Sequence, residues 1–176
     1  MKRGTVYLEP HQADWEQTAE ETIYTLKSIL GDIASDIQHI GSTSVKAISA
    51  KPIIDIAVAV NDYELILDKR YMLEKADIIF RFDERPEQLL FVMGDFEKDT
   101  RSHHIHVVLY CSDEWNNYIN FRDYLNTHIA AAREYEEVKL RLAERYPDDR
   151  IASTDGKQGV IDRLLDEAAE WRKKQC

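Results

Sequence analysis

The chain has 176 residues and a formal charge of −10, because 23 Lys and Arg residues stand against 33 Asp and Glu residues. This length is enough for one domain with a substantial core, and the acidic balance argues against a protein that coats DNA or RNA. No apolar run reaches the roughly 20 residues of a membrane span, and the first residues lack a secretory signal pattern. We therefore expect a cytoplasmic protein without a membrane partner.

The apolar spacing along the first two thirds of the chain alternates between helical and strand-like periods. Asp14 is expected to cap a first helix that ends at Gly31, and Ile37–Ile40 is a short strand candidate. The segment Pro52–Val60 is rich in Ile and Val, which predicts a central strand buried on both faces. After it come a predicted helix over Tyr63–Ala76 and three predicted strands, Ile78–Phe82, Leu89–Met93 and His104–Tyr110.

From Asp113 onward the period is helical and predicts about three helices. We therefore predict an α/β (α+β) fold in which helices flank a mixed β-sheet core. No repeat or linker divides the chain, so residues 1–112 are expected to form the core and residues 113–176 to pack on it in one domain. Cys111 and Cys176 lie too far apart for a CxxC site, and Cys111 is expected to be a buried thiol.

The segment from His39 to Val45, HIGSTSV, lies between the first strand and the central strand. A Gly-Ser turn that leads from a strand into a helix exposes backbone N–H groups and hydroxyls to a phosphate. Gly41, Ser42 and Thr43 are therefore candidate phosphate-binding residues. The same composition is ordinary for a turn, so a purely structural role stays open at this point.

Asp55 lies among Ile and Val residues on the central strand, where a carboxylate is costly unless it is paired, hydrogen-bonded or bound to a cation. The period of two places Asp55, Ala57 and Ala59 on one face of the strand. These small side chains are expected to leave room for a ligand. The opposite face, which carries Ile54, Ile56, Val58 and Val60, is expected to be core beneath helices.

Histidines on the last predicted strand are candidate partners of Asp55. His104 and His106 share one face of that strand, and His106 is a candidate metal ligand or proton carrier, with His39 as a third ligand. Alternatively, His106 forms a hydrogen bond with Asp55 inside a polar core. His103 and His104 are expected near solvent, with His104 as a further candidate. Imidazole favours zinc, manganese or nickel over magnesium.

Three basic residues are candidates for holding a phosphate. Lys51 precedes the central strand, where it either neutralises a phosphate or pairs with a surface acid. The guanidinium of Arg122 suits a bidentate contact with a phosphate and equally one with Asp123. Lys157, just before the last predicted helix, either reaches over the cleft or acts in local structure.

Taken in order, these segments resemble the GrpB (UPF0157) family and, more widely, the nucleotidyltransferase superfamily. The matching segments are HIGSTSV at 39–45, AKPIIDI at 50–56, HIHV at 104–107, FRDYL at 121–125, Tyr135 with Lys139, and TDGK at 154–157. The resemblance implies a nucleotidyltransferase-like fold in which the Gly41-Ser42 turn holds a nucleotide or another phosphorylated small molecule. It also implies a divalent metal at Asp55, which would be magnesium or manganese for catalysis and zinc or nickel at an Asp/His site.

Two departures from the superfamily pattern bear on function. Ala57 stands where the superfamily has a second carboxylate, and Lys46-Ala47 stand where the family usually has Pro-Gly. Losing a metal-bridging carboxylate lowers the rate of phosphoryl transfer. Three functions stay open: nucleotidyl transfer with Asp55 and His106 as catalytic residues, non-catalytic binding of a nucleotide or phosphate, and recruitment of a protein partner by the acidic helical half. The locally basic cleft favours a compact anion over a DNA or RNA polymer.

Overall fold

One mixed five-stranded sheet forms the centre of the protein, in the strand order β1-β2-β5-β4-β3. In this computed structural model, which describes residues 7–81, 87–147 and 149–175, β2 and β5 run parallel and the other neighbours run antiparallel. The end of β1 and the starts of β2 and β5 therefore lie side by side at one end of the strands. The strands are β1 (Ala34–Ile40), β2 (Ile54–Val60), β3 (Ile79–Arg81), β4 (Leu89–Met93) and β5 (His103–Leu109).

Helices lie on both faces of this sheet, which confirms the predicted α/β architecture with flanking helices. Within the described ranges, none of the helices combines the length and the apolar character that crossing a bilayer requires. The helices are α1 (Asp14–Leu30), α2 (Tyr63–Leu67), α3 (Arg70–Lys75), α4 (Asp113–Thr127), α5 (Ile129–Arg145), α6 (Arg150–Asp155) and α7 (Gln158–Lys173).

The larger core lies between the sheet and helices α1, α2 and α3. Alternate residues of β2 point into it, and Ile56, Val58 and Val60 have no exposed surface. They pack with Trp15 and Leu26 of α1 in one cluster. Each such buried side chain contributes about 1.5–3 kcal/mol through removal from water, so this face of β2 is core, as predicted.

The opposite face of β2 is covered by α4 over most of its length. Ala57 and Ala59 are fully buried and form a cluster with Val108 and Trp115. Their small side chains let a helix carrying tryptophan approach the sheet closely. The expectation of ligand space beside Ala57 and Ala59 was therefore wrong, and only the end of this face at Asp55 keeps partial exposure.

The loop between β1 and β2 is held by the C-terminal helices. Val45 and Ile48 of this loop are buried against Leu125 of α4, Tyr135 of α5 and Leu164 of α7. The helices after Asp113 thus cover the segment that follows the Gly41-Ser42 turn. Their packing places residues of α5 directly beneath that turn.

Several local predictions differ from the structure. Asp14 is the first residue of α1 and not its cap, since Ala13 precedes the helix without a side-chain hydrogen bond. The predicted helix over 63–76 is divided in two, because Lys69 (φ −89°, ψ 0°) departs from helical geometry. Cys111 is exposed, because it occupies a turn with φ +61° between β5 and α4. Cys176, and Phe82 of the predicted third strand, lie outside the described residues.

Candidate metal and phosphate site

Strand pairing brings Asp55 of β2 together with His104 and His106 of β5. Asp55 and His104 are direct partners in the parallel pair, and His106 follows two residues later on the same face. Asp55 Oδ1 lies 3.2 Å from His104 Nδ1 and 3.5 Å from His106 Nε2. One ligand atom from each residue lies within 4.8 Å of the other two, so the three side chains are close enough to share a cation.

The donor atoms of this group fit a single transition-metal ion. Ligands about 2.0–2.1 Å from a tetrahedral centre lie roughly 3.3 Å from one another, close to the 3.2 and 3.5 Å between Asp55 Oδ1 and the two histidine nitrogens. One carboxylate and two imidazoles suit zinc, manganese or nickel, whereas magnesium prefers oxygen ligands. Because Ala57 supplies no second carboxylate, the group does not fit a pair of magnesium ions.

The carboxyl group of Asp55 is held in its ionised form. Burial alone would raise the pKa of Asp55, but hydrogen bonds from His104 and His106 outweigh it, and the pKa lies well below its ordinary value. The side chain of Asp55 keeps 26% of its surface exposed. A negative charge that is both available at neutral pH and reachable from solvent is what a cation site requires.

The Gly41 turn lies directly against this carboxylate. Gly41 has φ +71°, and a Cβ atom at this position would stand 2.5 Å from Asp55 Oδ2. Both the left-handed backbone and the close approach therefore require glycine. Residues Ser42–Ser44 that follow form one 3-10 turn in place of an α-helix. A phosphate at this turn would sit beside any ion held by Asp55.

His39 lies on the other face of the sheet, where it is paired with Ile56. Its Nε2 atom is 2.9 Å from the hydroxyl of the buried Thr43. Burial lowers the pKa of His39 to about 4, which leaves the ring neutral at physiological pH. The structure therefore does not bring His39 into the group with Asp55; His104 is its third member.

The expectation that His103 and His104 are solvated was wrong. His103 is 7% exposed on the α1 face, and its Nε2 atom lies 3.1 Å from the hydroxyl of Thr22. His104 is partly buried beside Asp55. Both faces of a central strand are covered by helices here, so alternate histidines fall in two different polar sites.

Lys139 is a buried basic residue that the sequence pattern did not identify as a site residue. The residue is 5% exposed, and its ammonium group donates a hydrogen bond to the carbonyl oxygen of Ser49 at 2.7 Å. Burial, with added repulsion from Lys157 and Lys51, lowers the pKa of Lys139 to about 7. Positive charge from Lys157 and Lys51 therefore acts on the Lys139 ammonium group. Its i,i+4 spacing from Tyr135 in the family motif was the available signal.

Helix α5 contacts both the Gly41 turn and the loop that follows it. The carboxylate of Glu136 accepts a hydrogen bond from the backbone N–H of Ser49 at 2.6 Å. Burial raises the pKa of Tyr135, and a hydrogen bond with Ser42 acts in the opposite direction. Contacts at Ser42 and at Ser49 therefore connect both ends of the loop to one helix.

Arg122 braces the end of β1. Its guanidinium donates to the side-chain oxygen of Gln38 at 2.9 Å and to the backbone oxygen of His39 at 3.1 Å. It also pairs with Asp123 at 2.8 Å, and Asp123 in turn pairs with Arg172 of α7. These contacts give Arg122 a structural role just before the turn, and its contact with a phosphate stays a prediction.

Comparison with known proteins identifies relatives over most of the chain. Residues 5–167 match the family model described as GrpB protein. The chain belongs to the GrpB family. It is 36% identical over 170 residues to the "Glutamate-rich protein GrpB" of Alkalihalophilus pseudofirmus, covering 95% of this chain and 98% of the relative. A UPF0157 protein of Pseudomonas aeruginosa is 34% identical and matches over 90% of this chain and 66% of its own length.

Solved structures extend the comparison to the fold. The crystal structure of GrpB from Enterococcus faecalis superposes with a TM-score of 0.87 at 28% identity, covering 94% of this chain and 99% of that one. Cid1 in complex with its short product ApU superposes with a TM-score of 0.54 at 13% identity, over 78% of this chain and 43% of Cid1. A MgGTP-bound structure of the Cid1 poly(U) polymerase gives a TM-score of 0.51 at 14% identity, over 78% of this chain and 45% of that one. The GrpB fold is therefore nucleotidyltransferase-like.

Proposed function

We propose that this GrpB protein binds a nucleotide, or another small molecule with a terminal phosphate chain, together with one divalent ion held by Asp55, His104 and His106. The observation that carries the proposal is the contact between the Gly41 turn and the Asp55 carboxylate. A phosphate seated at the turn would complete the coordination of an ion held by the three side chains. The bound ion would supply positive charge against the phosphate oxygens.

The basic residues around the turn support the choice of a phosphorylated ligand. Repulsion from Lys157 and Lys51 contributes to the lowered pKa of Lys139, so three lysines supply positive charge to this part of the protein. Ser42 and its hydroxyl lie on the same loop, whereas Thr43 is buried with its hydroxyl 2.9 Å from His39 Nε2 and is therefore not kept as a phosphate-binding residue. Lys139, whose pKa is about 7, would be favoured in its charged form by a phosphate nearby. The bound magnesium nucleotides of Cid1, a protein with the same fold, agree with this class of ligand.

Binding without turnover is favoured over nucleotidyl transfer. Transfer through two metal ions uses shared carboxylates that hold the ions roughly 4 Å apart, and Ala57 replaces one of them in this chain. If transfer occurs, Asp55 would hold the ion and His106 would act as ligand or proton carrier. Lys51 and Lys139 would then stabilise the charge that develops on the leaving phosphate.

Isothermal titration tests the proposal with defined ligands. Mn²⁺, Zn²⁺ and Mg²⁺ are titrated into the protein alone, and ATP, GTP and pyrophosphate are titrated with and without each ion. We expect Mn²⁺ or Zn²⁺ to bind and to increase triphosphate affinity. Asp55→Asn should weaken metal binding by at least ~10-fold, since a direct ligand matters more than a supporting contact.

Asp36→Asn is the matched control. Asp36 is a partly buried aspartate of β1 on the same face of the sheet as Asp55, but its carboxylate contacts the backbone of Ile37 and the side chain of Gln38. The control should bind metal as the wild type does. Triphosphate binding that is unaffected by metal and by Asp55→Asn would overturn the metal part of the proposal, and no binding of any phosphate would overturn all of it. Pyrophosphate release that depends on Asp55 would instead establish nucleotidyl transfer.

A further inference from the structure

A buried amide lies behind the second histidine of the metal group. Gln88, just before β4, is 4% exposed, and its Nε2 atom lies 3.4 Å from His106 Nδ1. The Oε1 atom of Gln88 accepts a hydrogen bond from the hydroxyl of Tyr118 at 2.8 Å. The rings of Tyr118 and His106 also pack at 5.3 Å between centroids. A chain of polar contacts thus leads from α4 through Gln88 and His106 to Asp55.

The hydrogen bonds that link Tyr118, Gln88 and His106 have a definite donor-to-acceptor direction. Because the Tyr118 hydroxyl donates to Gln88 Oε1, the amide NH2 of Gln88 faces His106 and donates to Nδ1. The proton of the neutral His106 ring is then on Nε2, which faces Asp55 Oδ1 at 3.5 Å. In the metal-free protein these hydrogen bonds therefore favour the Nε2–H tautomer of His106.

Metal binding at His106 requires the opposite tautomer. An ion takes the lone pair of Nε2, so the ring proton must stand on Nδ1 and be accepted by a neighbouring group. One proton leaves Nε2 to water and one arrives at Nδ1, so the proton count of the ring is unchanged. The Gln88 amide can meet both demands by turning over, which exchanges its oxygen and its NH2 group. Tyr118 accommodates either orientation, because a hydroxyl accepts as well as donates.

We propose that Gln88 is a positioning residue that holds the His106 ring in both states, with its amide turning over when an ion binds. This inference rests on the metal site of the proposed function. A carboxylate at position 88 would only accept hydrogen bonds and would match the metal-bound state alone. An apolar side chain would match neither state. Glutamine is the residue of this shape that serves both.

Long-range ¹H–¹⁵N spectra of the metal-free protein at pH 8 test the tautomer directly. We expect His106 of the wild type to be protonated at Nε2 and unprotonated at Nδ1, with its signals assigned by their loss in His106→Gln. Gln88→Glu should move the ring proton to Nδ1. Gln38→Leu is the control, because Gln38 lies on the same sheet face but contacts Asp36 and Arg122. The same His106 tautomer in wild type and Gln88→Glu would overturn the inference.

Metal affinity provides the second readout. Gln88→Leu should weaken Mn²⁺ or Zn²⁺ binding about 10- to 100-fold, as is typical when the hydrogen-bond partner of a ligating histidine is removed. Gln88→Glu should bind the ion at least as tightly as wild type, because its carboxylate already matches the metal-bound state, and a merely structural role would not explain this result. Equal affinity in wild type and Gln88→Leu would overturn the inference. If the wild type takes up no ion, the proposed function fails, and the tautomer comparison alone decides whether Gln88 orients His106.

Discussion

The buried ammonium of Lys139 should make the stability of the protein depend on pH in the alkaline range. Lys139→Met removes this charge and keeps a side chain of similar length. The wild-type residue is 5% exposed, and burial together with Lys157 and Lys51 lowers its pKa from 10.5 to about 7. This difference corresponds to about 5 kcal/mol of free energy. Against it, the substitution would leave the Ser49 carbonyl without this donor, at a cost of about 1–3 kcal/mol.

The direction of this pH dependence follows from the protons bound by the folded and unfolded protein. Between pH 7 and 10.5 the unfolded chain holds a proton on Lys139 and the folded protein does not, so wild-type stability gains from rising pH. Lys139 should raise the free energy of unfolding by about 1.4 kcal/mol per pH unit in this window. Below pH 7 both states are protonated and the burial penalty is complete. Lys139→Met should therefore be more stable than wild type at pH 7 and lose this advantage as pH approaches 10.

Urea unfolding followed by tryptophan fluorescence measures the effect at half-unit steps from pH 6.5 to 10. The difference in unfolding free energy between variant and wild type is the quantity to compare, because other groups titrate equally in both proteins. Lys46→Met is the control, since the Lys46 side chain is 70% exposed and its ion pair with Glu16 lies at the surface. A pH-independent difference for Lys139→Met, parallel to that of the control, would refute the burial of this ammonium group.

Two further predictions concern the turn and its histidine. Gly41→Ala should destabilise the protein by about 1–2 kcal/mol from backbone strain, and it should abolish metal binding measured by titration, because its Cβ would stand 2.5 Å from Asp55 Oδ2. Gly31→Ala is the control, because Gly31 also has a positive φ (+53°) but open space around it, and this variant should keep metal binding. Equal losses of metal binding in both variants would contradict the contact between Gly41 and Asp55. Burial lowers the pKa of His39 to about 4, so wild-type stability should fall by up to about 3 kcal/mol between pH 6.5 and 4, as the unfolded chain takes up the proton first. His39→Gln should flatten this decline in urea unfolding, and an unchanged acid slope would count against a neutral buried ring.

The alternation of residues along β2 was enough to predict the two faces of the central strand. Ile56 and Val58 are core, and Asp55 points to the other face, because a strand in a sheet between helices follows a strict period of two. The closeness of Gly41 to Asp55 also follows from the chain order, since β1 and β2 are antiparallel and Ile40 pairs with Asp55. These contacts depend on local pattern and short connections.

The contacts that complete the site depend on pairing between distant segments. Asp55 and His104 are 49 residues apart in sequence, and only the register of β2 with β5 determines that His104 lies level with the carboxylate. Alternation along β5 places His104 and His106 on one face without showing which strand lies beside them. Lys139 was missed for a different reason: lysine on a helix is ordinarily exposed, and its burial depends on how α5 packs under the loop.

The register also explains how this chain differs from a two-metal enzyme. Ala57 pairs with His106 across the parallel strands, so an imidazole from β5 stands at the level where the superfamily has its second carboxylate. Ala57 itself is buried in one cluster with Trp115, so packing by α4 occupies the space beside it. One carboxylate neutralises half of the charge of a divalent ion, and two neutral imidazoles neutralise none. On an ion held by this group, the remaining positive charge would face the Gly41 turn, where a phosphate oxygen would balance it.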